Sequence, residues 1–406
     1  MLSNWKCRQT ITAAPLDCYK SSSICADTLV LGRNKGFVEV YKIGPGLKKK
    51  IEYKSHAPCF DYLRSTEIAE SVDSIDIVPS GTKEILVLSG NQKNIKLWNV
   101  HSSFIRADSM PHIVECCTDS SFSCDNPEEK PVENSSPSQR IEKIFACESK
   151  KKTRVKLEKE YMPENIYNIH SLSVSHTGES ILMSDELTIT FLNHRLENPW
   201  VALNLKPSKN EELSKVITTA RFVQNSSSMF IYGTAGGTMH LHDLRDCSRG
   251  GNVLSINAPK RKDFYNEVVQ PVADIQFISD NIIASRDLQY VVTNDIRSSN
   301  SLLQEYDVYP LVRKNITELY DSDEIFSKFK MAVSGNKVYT GSFNTVLAEI
   351  DTDTNVVSQV FLEEDLESAT RIIEGMKVSC ISLKDDCLVA AYSNQCYIFR
   401  STTESA

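Results

Sequence analysis

VDSIDIVPSGTKEILVLSGNQKNIKLWNV, residues 72–100, carries the pattern that decides the fold. A short apolar run is followed by a turn, a second apolar run, another turn and a final alternating stretch. In IKLW, Ile95 and Leu97 share one face and Lys96 and Trp98 the other, the period of two that marks a strand. MHLHDL at 239–244 alternates in the same way. Working outward, the succession recurs as ADTLVLGRNKGFVEVYKIG (26–44), IHSLSVSHTGESILMSDELTITFLNH (169–194) and ITTARFVQNSSSMFIYGTAGGTMHLHDLRD (217–246). It continues as VADIQFISDNIIASRDLQYVVTNDIRS (272–298), IFSKFKMAVSGNKVYTGSFNTVLAEIDTD (325–353) and VSCISLKDDCLVAAYSNQCYIFR (378–400).

The starts of these units differ by 46, 97, 48, 55, 53 and 53 residues, so the one long interval is a period plus an insertion of similar size. WD-type repeats run roughly 40–45 residues and lengthen with their loops. Seven such units predict an all-β chain: a single seven-bladed β-propeller of WD-type repeats over 1–406, with an inserted hairpin or loop arm, 101–165, between blades 2 and 3. An open stack of sheets would leave edge strands unpaired. The segment NWKCRQTITAA (4–14) precedes the first unit and is placed to pair as the outer strand of the last blade, joining the two ends of the chain. Within the insertion, SSFSCDNPEEKPVENSSPSQR (120–140) is poor in large apolar residues and is not expected to pack. The basic run SKKKTRVKLEKE (149–160) reads as a solvated hairpin or as an arm for a partner or a nuclear signal.

Composition narrows the function classes. Lys and Arg number 45 against 53 Asp and Glu, a net charge of −8, which argues against nucleic acid as the main ligand and suits basic partner segments. No run of 18 apolar residues predicts a membrane span. The twelve cysteines lack a C-x-x-C, and no apolar h-region follows Met1, so reduced thiols in the cytoplasm or nucleus are expected. The sequons at Asn134, Asn225 and Asn315 are then chance matches.

Signatures of catalysis are missing: there is no H-E-x-x-H, G-x-S-x-G or kinase set. His240 and His242 lie on one strand face, but no third ligand stands at a recognisable spacing, so a structural role is expected and no metal. GTAGGT (233–238) lacks the Lys and following helix of a phosphate loop and reads as a turn inside a blade. No cofactor is implied. The acidic clusters Glu211-Glu212, Asp321 with Asp323 and Glu324, and Glu363-Glu364-Asp365 fall between strand patterns. Such runs are ordinarily solvated surface; at one rim of a propeller they would form a negative patch that steers basic peptides.

Several stretches go beyond a generic repeat. SHAPCFDYL (55–63) is similar to SHEPEFDYL of the regulatory B subunits of protein phosphatase 2A, and IYNIHSLSVS (166–175) to that family's TYHINSISIN. EELSKVITTARF (211–222) resembles EELTEVITAAEF, and FIYGTAGGTMHLHDLR (230–245) follows where the family has FVYSSSKGTIRLCDMR. SRDL (285–288), LYDSDEIFSKF (319–329), TGSFN (340–344) and CYIFR (396–400) come in the family's order, leaving only 101–160 and 354–377 uncovered.

The resemblance implies a non-catalytic subunit that binds a helical-repeat scaffold subunit and positions phosphoprotein substrates with basic segments beside a separate catalytic subunit. By matching position, the substrate groove on the propeller top takes Phe60, Arg64, Glu67 and Glu70. It also takes Tyr167, Glu186, Glu211, Leu213, Val216, Tyr320, Asp321, Asp323 and Phe326. Burying a leucine-sized side chain contributes roughly 1.5–3 kcal/mol against about 0–1 for an exposed ion pair. Leu213 is therefore expected to outweigh any single acid. The pattern departs from the family at Glu186 (Asp there), Ala69 (one of two glutamates), Asn168 (His) and Leu192 (Trp). The 101–160 arm does not match the family's scaffold-docking hairpin, and 354–377 is short and acidic. The alternative is a WD-repeat scaffold of another multiprotein complex without phosphatase.

Overall fold

The computed structural model describes residues 5–44, 46–62, 65–79, 84–104, 151–162, 167–193, 199–207, 216–249, 252–257, 259, 270–298, 302–363 and 370–401. Residues 1–100 with 155–406 form one compact unit and 101–154 a second. Of the second, the described residues are the last four of one strand and the first four of the next.

The architecture is seven four-stranded antiparallel sheets. β1 (Trp5–Thr12) comes first in the chain but belongs to the last sheet. Blade 1 is β2 (Tyr19–Cys25), β3 (Thr28–Arg33), β4 (Phe37–Lys42) and β5 (Lys48–Lys54). A two-stranded hairpin of β6 (Cys59–Asp61) and β7 (Thr66–Ile68) leads to blade 2: β8 (Ser74–Val78), β9 (Ile85–Gly90), β10 (Ile95–Phe104) and β11 (Lys151–Tyr161). Blade 3 is β12 (Ser171–Val174), β13 (Ser180–Ser184), β14 (Thr188–Asn193) and β15 (Trp200–Asn204). Blade 4 is β16 (Ile217–Phe222), β17 (Met229–Thr234), β18 (Met239–Asp243) and β19 (Asn252–Ile256). Blade 5 is β20 (Asp274–Phe277), β21 (Ile282–Arg286), β22 (Tyr290–Asp295) and β23 (Leu302–Asp307). Two short helices, α1 (Leu311–Lys314) and α2 (Ile316–Asp321), and a 3-10 turn at Glu324–Phe326 precede blade 6: β24 (Met331–Ser334), β25 (Lys337–Gly341), β26 (Val346–Asp351) and β27 (Val356–Phe361). Blade 7 is β28 (Val378–Lys384), β29 (Cys387–Tyr392) and β30 (Gln395–Ser401), completed by β1.

The inner strands touch in turn, β2 to β8, β12, β16, β20, β24, β28 and back to β2, so the ring is closed. Closure is made by β1, whose Trp5 opposes Ser401 and whose Thr12 opposes Gln395, as the position of 4–14 predicts. Trp5 also reaches the neighbouring blade, where its Nε1 donates to Tyr339 Oη at 2.9 Å. This sheet removes two edges at once.

Each sequence unit covers the inner strands but not the outermost, because an outer strand is half exposed and lacks a continuous apolar run. β3, β13 and β29 are buried throughout, sandwiched between neighbouring blades. Of the basic run at 149–160, residues 151–160 lie on such an outer strand, β11, paired in blade 2. Of the insertion, 105–150 and 163–165 lie outside the described residues, as do Glu211-Glu212 and Glu364-Asp365.

The core is correspondingly divided. Seven apolar clusters each fill the gap between two consecutive blades, from Val30, Val38 and Val40 against Val72, Ile75 and Ile77, to Leu29 and Leu31 against the buried thiols Cys380, Cys387 and Cys396. An eighth, of Val312, Leu319, Ile325, Phe329 and Phe343, seats the two helices. Leu192 is buried among blades 2 and 3. Glycines at the ends of second strands let the next blade approach. A Cβ on Gly233 would meet Val272 Cβ at 2.6 Å, and one on Gly341 the Val378 carbonyl oxygen at 1.9 Å. The glycine opening GTAGGT is therefore a packing glycine, and Gly237 (φ 78°) makes the turn.

Candidate functional site

Every blade starts at the ring's inner wall and runs outward. The connection from one blade's outer strand to the next blade's inner strand, and the turn between second and third strands, therefore emerge at the same end. All ten described groove candidates fall in such segments. Phe60 lies on β6, Glu67 on β7 and Glu70 just beyond; Tyr167 and Val216 lie before inner strands, Glu186 in the β13–β14 turn, and Tyr320, Asp321, Asp323 and Phe326 before blade 6. Arg64, Glu211 and Leu213 lie outside the described residues.

Exposed apolar side chains single out this same end. Among the described residues, Leu16, Phe60, Tyr62, Met162, Tyr320, Phe326 and Ile373 are exposed in blade-to-blade connections. The remaining exposed large apolar residues among those described lie on outer strands, and none of these is in the turns of the opposite end. Phe60 and Tyr62 meet edge to face at 5.2 Å, which holds both rings proud of the surface. The hairpin carrying them is anchored by Asp61, whose carboxylate takes Lys93 Nζ at 2.8 Å. Glu70 is paired with Lys54 at 3.0 Å, while Glu67 is open.

Opposite that sector, α2 and the 3-10 turn present Tyr320, Asp321, Asp323 and Phe326 to water. The backbone is locked there: Leu319 and Ile325 are buried beneath, Asp323 adopts a left-handed conformation (φ 58°), and Glu324 pairs with Lys377. Two buried anchors between exposed groups explain why so short a helix persists. On blades 3 and 4, Ile217 N donates to Glu186 O at 2.8 Å, bringing Val216 beside Glu186.

The inner strands enclose a channel of about 510 Å³. Its mouth is crossed by a contact between blades three places apart on the ring. Lys328 Nζ, just ahead of β24, donates to His170 Nδ1 at 3.4 Å, and His170 Nε2 stands 3.6 Å from Glu186 Oε1. Burial, then the charges of Lys328 and Lys330, push the imidazole down to about 3, so it is neutral and accepts from the lysine. Lys328 is open to water at the mouth, yet surrounding blades replace much of its hydration. Burial and then Lys330 lower its ammonium to about 8, with Glu186 opposing. Lys330 is 3.6 Å from Asp274, whose Oδ2 also accepts Met331 N at 2.9 Å. Deeper in, Asp76 is held by Ser23 Oγ (3.0 Å) and Val174 N (3.3 Å), and burial raises its pKa.

His170, Lys328 and Lys330 are not among the sequence candidates. A signal is present, since the family run TYHIN has Asn where this chain has His170, but nothing in the spacing joins it to Lys328. Elsewhere, His240 and His242 are buried and stacked on Tyr232 and Phe230, with His240 Nδ1 at 2.8 Å from Ser255 Oγ. Among the described residues no group of three His, Cys, Asp or Glu is arranged to hold a metal ion.

No protein-family model matches the chain. Individual proteins do. It is 29% identical over 342 residues to the regulatory B subunit of protein phosphatase PP2A from Candida tropicalis, covering 78% of this chain and 63% of that protein. It is 28% identical over 329 residues to the beta isoform of the 55 kDa regulatory B subunit of serine/threonine protein phosphatase 2A from Arabidopsis thaliana, covering 74% and 64%. To the serine/threonine-protein phosphatase 2A regulatory subunit phr2AB of Dictyostelium discoideum it is 28% identical over 327 residues, covering 73% and 67%. The chain is a divergent relative of the PP2A regulatory B subunits. It spans a little under two thirds of the length of the first two of these relatives. All three are named as regulatory subunits, none as a phosphatase catalytic subunit. No helix among the described residues is long and apolar enough to cross a membrane.

Proposed function

We propose that this chain is a regulatory, targeting subunit of a protein phosphatase 2A assembly, which captures phosphoprotein substrates on the channel-mouth rim. The carrying observation is the relationship to named B subunits, joined to a ring whose described exposed apolar side chains, outer strands aside, lie at one end together with Glu67, Asp321 and Asp323. In this reading the chain holds a helical-repeat scaffold subunit and lies beside the catalytic subunit, in the cytoplasm or nucleus. Phe326, Tyr320 and Phe60 offer apolar footholds; Glu67, Glu186, Asp321 and Asp323 draw the lysines and arginines flanking a phosphosite. Open carboxylates act mainly on encounter rate, and desolvated aromatic anchors set residence. Val216 packs beside Glu186, while Arg64, Glu211 and Leu213 complete the set by family position.

Affinity purification of the tagged full chain tests this directly. A phosphatase catalytic subunit and its helical-repeat scaffold are expected in stoichiometric amount. Recovery of neither, with other partners in their place, would establish the alternative of a WD-type scaffold in a different complex, which the departures at 101–160 favour.

A further inference from the structure

We propose that Lys328 is a site of covalent acylation, an amine nucleophile served by the imidazole of His170, with an acyl thioester as co-substrate. The inference stands apart from the targeting role, because it concerns the chemistry of the mouth whatever the rim binds.

An amine, an imidazole and a carboxylate stand in succession across the mouth. Lys328 Nζ lies 3.4 Å from His170 Nδ1, and the far nitrogen of the same ring lies 3.6 Å from Glu186 Oε1. With Nδ1 accepting from the ammonium, Nε2 carries the hydrogen on the side of Glu186. Phe326 and Ser327 lead directly into Lys328. Ser327 is fixed by Glu324 (2.7 Å) and Lys377 (2.9 Å), so the amine departs from an anchored turn. The amine is also open to water, and hence to a reagent. Among the described residues, the titratable and charged groups around it are Lys330 on its own segment, the neutral His170 and Glu186 across the mouth, Asp274 beside Lys330, and the Glu324–Lys377 pair behind. Burial between the blades, and then the charge of Lys330, disfavour the ammonium, which leaves a usable fraction of Lys328 as free amine near neutrality.

In the step, the Nζ lone pair attacks the thioester carbonyl carbon and a C–N bond forms. The C–S bond breaks and the thiolate leaves. The proton lost by nitrogen passes to His170 Nδ1 and then to the thiolate, giving an amide and a thiol with no redox change. Burial is the largest cause that lowers His170; as Lys328 loses its charge, one of the two cations that add to it is removed. The product no longer faces Glu186 with a positive charge, and the rim becomes more acidic.

The test is exposure of the purified full chain to acetyl-coenzyme A from pH 6.5 to 9.5, with site-resolved peptide mass spectrometry. At pH 7.5 Lys328 is expected to react roughly tenfold faster than the open Lys206, Lys314 and Lys384, because its lowered pKa enriches free amine by roughly a hundredfold or more and lower basicity offsets part of that. Its rate should level off above about pH 8 while theirs keep rising. His170→Asn should lower the Lys328 rate severalfold without moving that midpoint, and Lys330→Gln should move the midpoint up. Thermal unfolding of each variant confirms that it is folded, and the comparison among lysines in the unaltered protein needs no variant. Lys328 reacting no faster than those three overturns the proposal; a fast Lys328 unaffected by His170→Asn overturns His170 as the base.

Discussion

Gly341 shows how one atom sets the spacing of two blades. Its Cβ position is taken by the Val378 carbonyl oxygen at 1.9 Å, which is backbone and has little freedom to retreat. Gly341→Ala is expected to lower stability by about 1–3 kcal/mol or more, read from the urea midpoint, because overpacking forces backbone shifts. His56 acts through protonation. It is buried, and burial lowers its pKa to about 4. Below pH 6.5 the unfolded chain takes up a proton that the folded chain refuses until about pH 4. Stability present at neutrality is therefore lost as pH falls, by about 2 kcal/mol at pH 5 from this residue alone. Denaturation at pH 7.5 and 5 should show that loss, and His56→Gln should reduce the pH slope. At the rim, Phe326→Ala should weaken a Lys/Arg-rich phosphopeptide roughly tenfold or more by fluorescence anisotropy, a loss seated in dissociation. Glu186→Lys should act mainly on association, by roughly threefold to tenfold, and fade at high salt. Equal affinity in both variants would remove the rim as the peptide site.

At the scale of elements, β1 has the largest consequence for its length. It supplies the outer strand of the last blade and sends Trp5 to Tyr339 across the blade boundary, where the rings meet at 5.8 Å. Trp5→Ala removes a half-buried aromatic and one hydrogen bond together. A loss of about 2–4 kcal/mol is expected, with increased self-association as the β30 edge opens. A thermal midpoint unchanged within error would show that closure does not depend on this contact. α2 illustrates the reverse dependence. At six residues it is too short to stand alone, and it persists because Leu319 and Ile325 are buried with Val312, Phe329 and Phe343. The aromatic and acidic groups above it are thus positioned by tertiary packing.

For the whole molecule, the ring predicts tolerance to a change of chain order. Trp5 opposes Ser401, so a short linker can join them, and the chain can be reopened between Asn225 and Ser228 in the β16–β17 turn. Blade 4 would then close the ring, and the permuted protein should keep its far-ultraviolet spectrum and a cooperative transition. A molten product would mean that β1 carries specific information beyond closing an edge.

The repeats of 72–100 and its six counterparts determined by themselves that the chain is a closed ring of seven sheets, because apolar runs between turns are local and recur along the chain. The closing strand 4–14 followed from the same reasoning. Outer strands were less legible: β11 reads as a basic, solvated run because half of its side chains do face water, and its pairing with β10 is invisible at a sequence separation of about fifty residues. GTAGGT was readable as a turn, but not that Gly233 makes room for Val272, a residue of the next blade. The rim was legible in part. Family position named its acids and aromatics, whereas the contact of Lys328 with His170, 158 residues away, exists only when blades 3 and 6 face each other across the channel. The sequence by itself thus determined how many blades there are and how each is built. Only the tertiary structure decided which charges share the mouth, because closing a ring juxtaposes residues by angle about an axis, a coordinate that spacing along a chain does not contain.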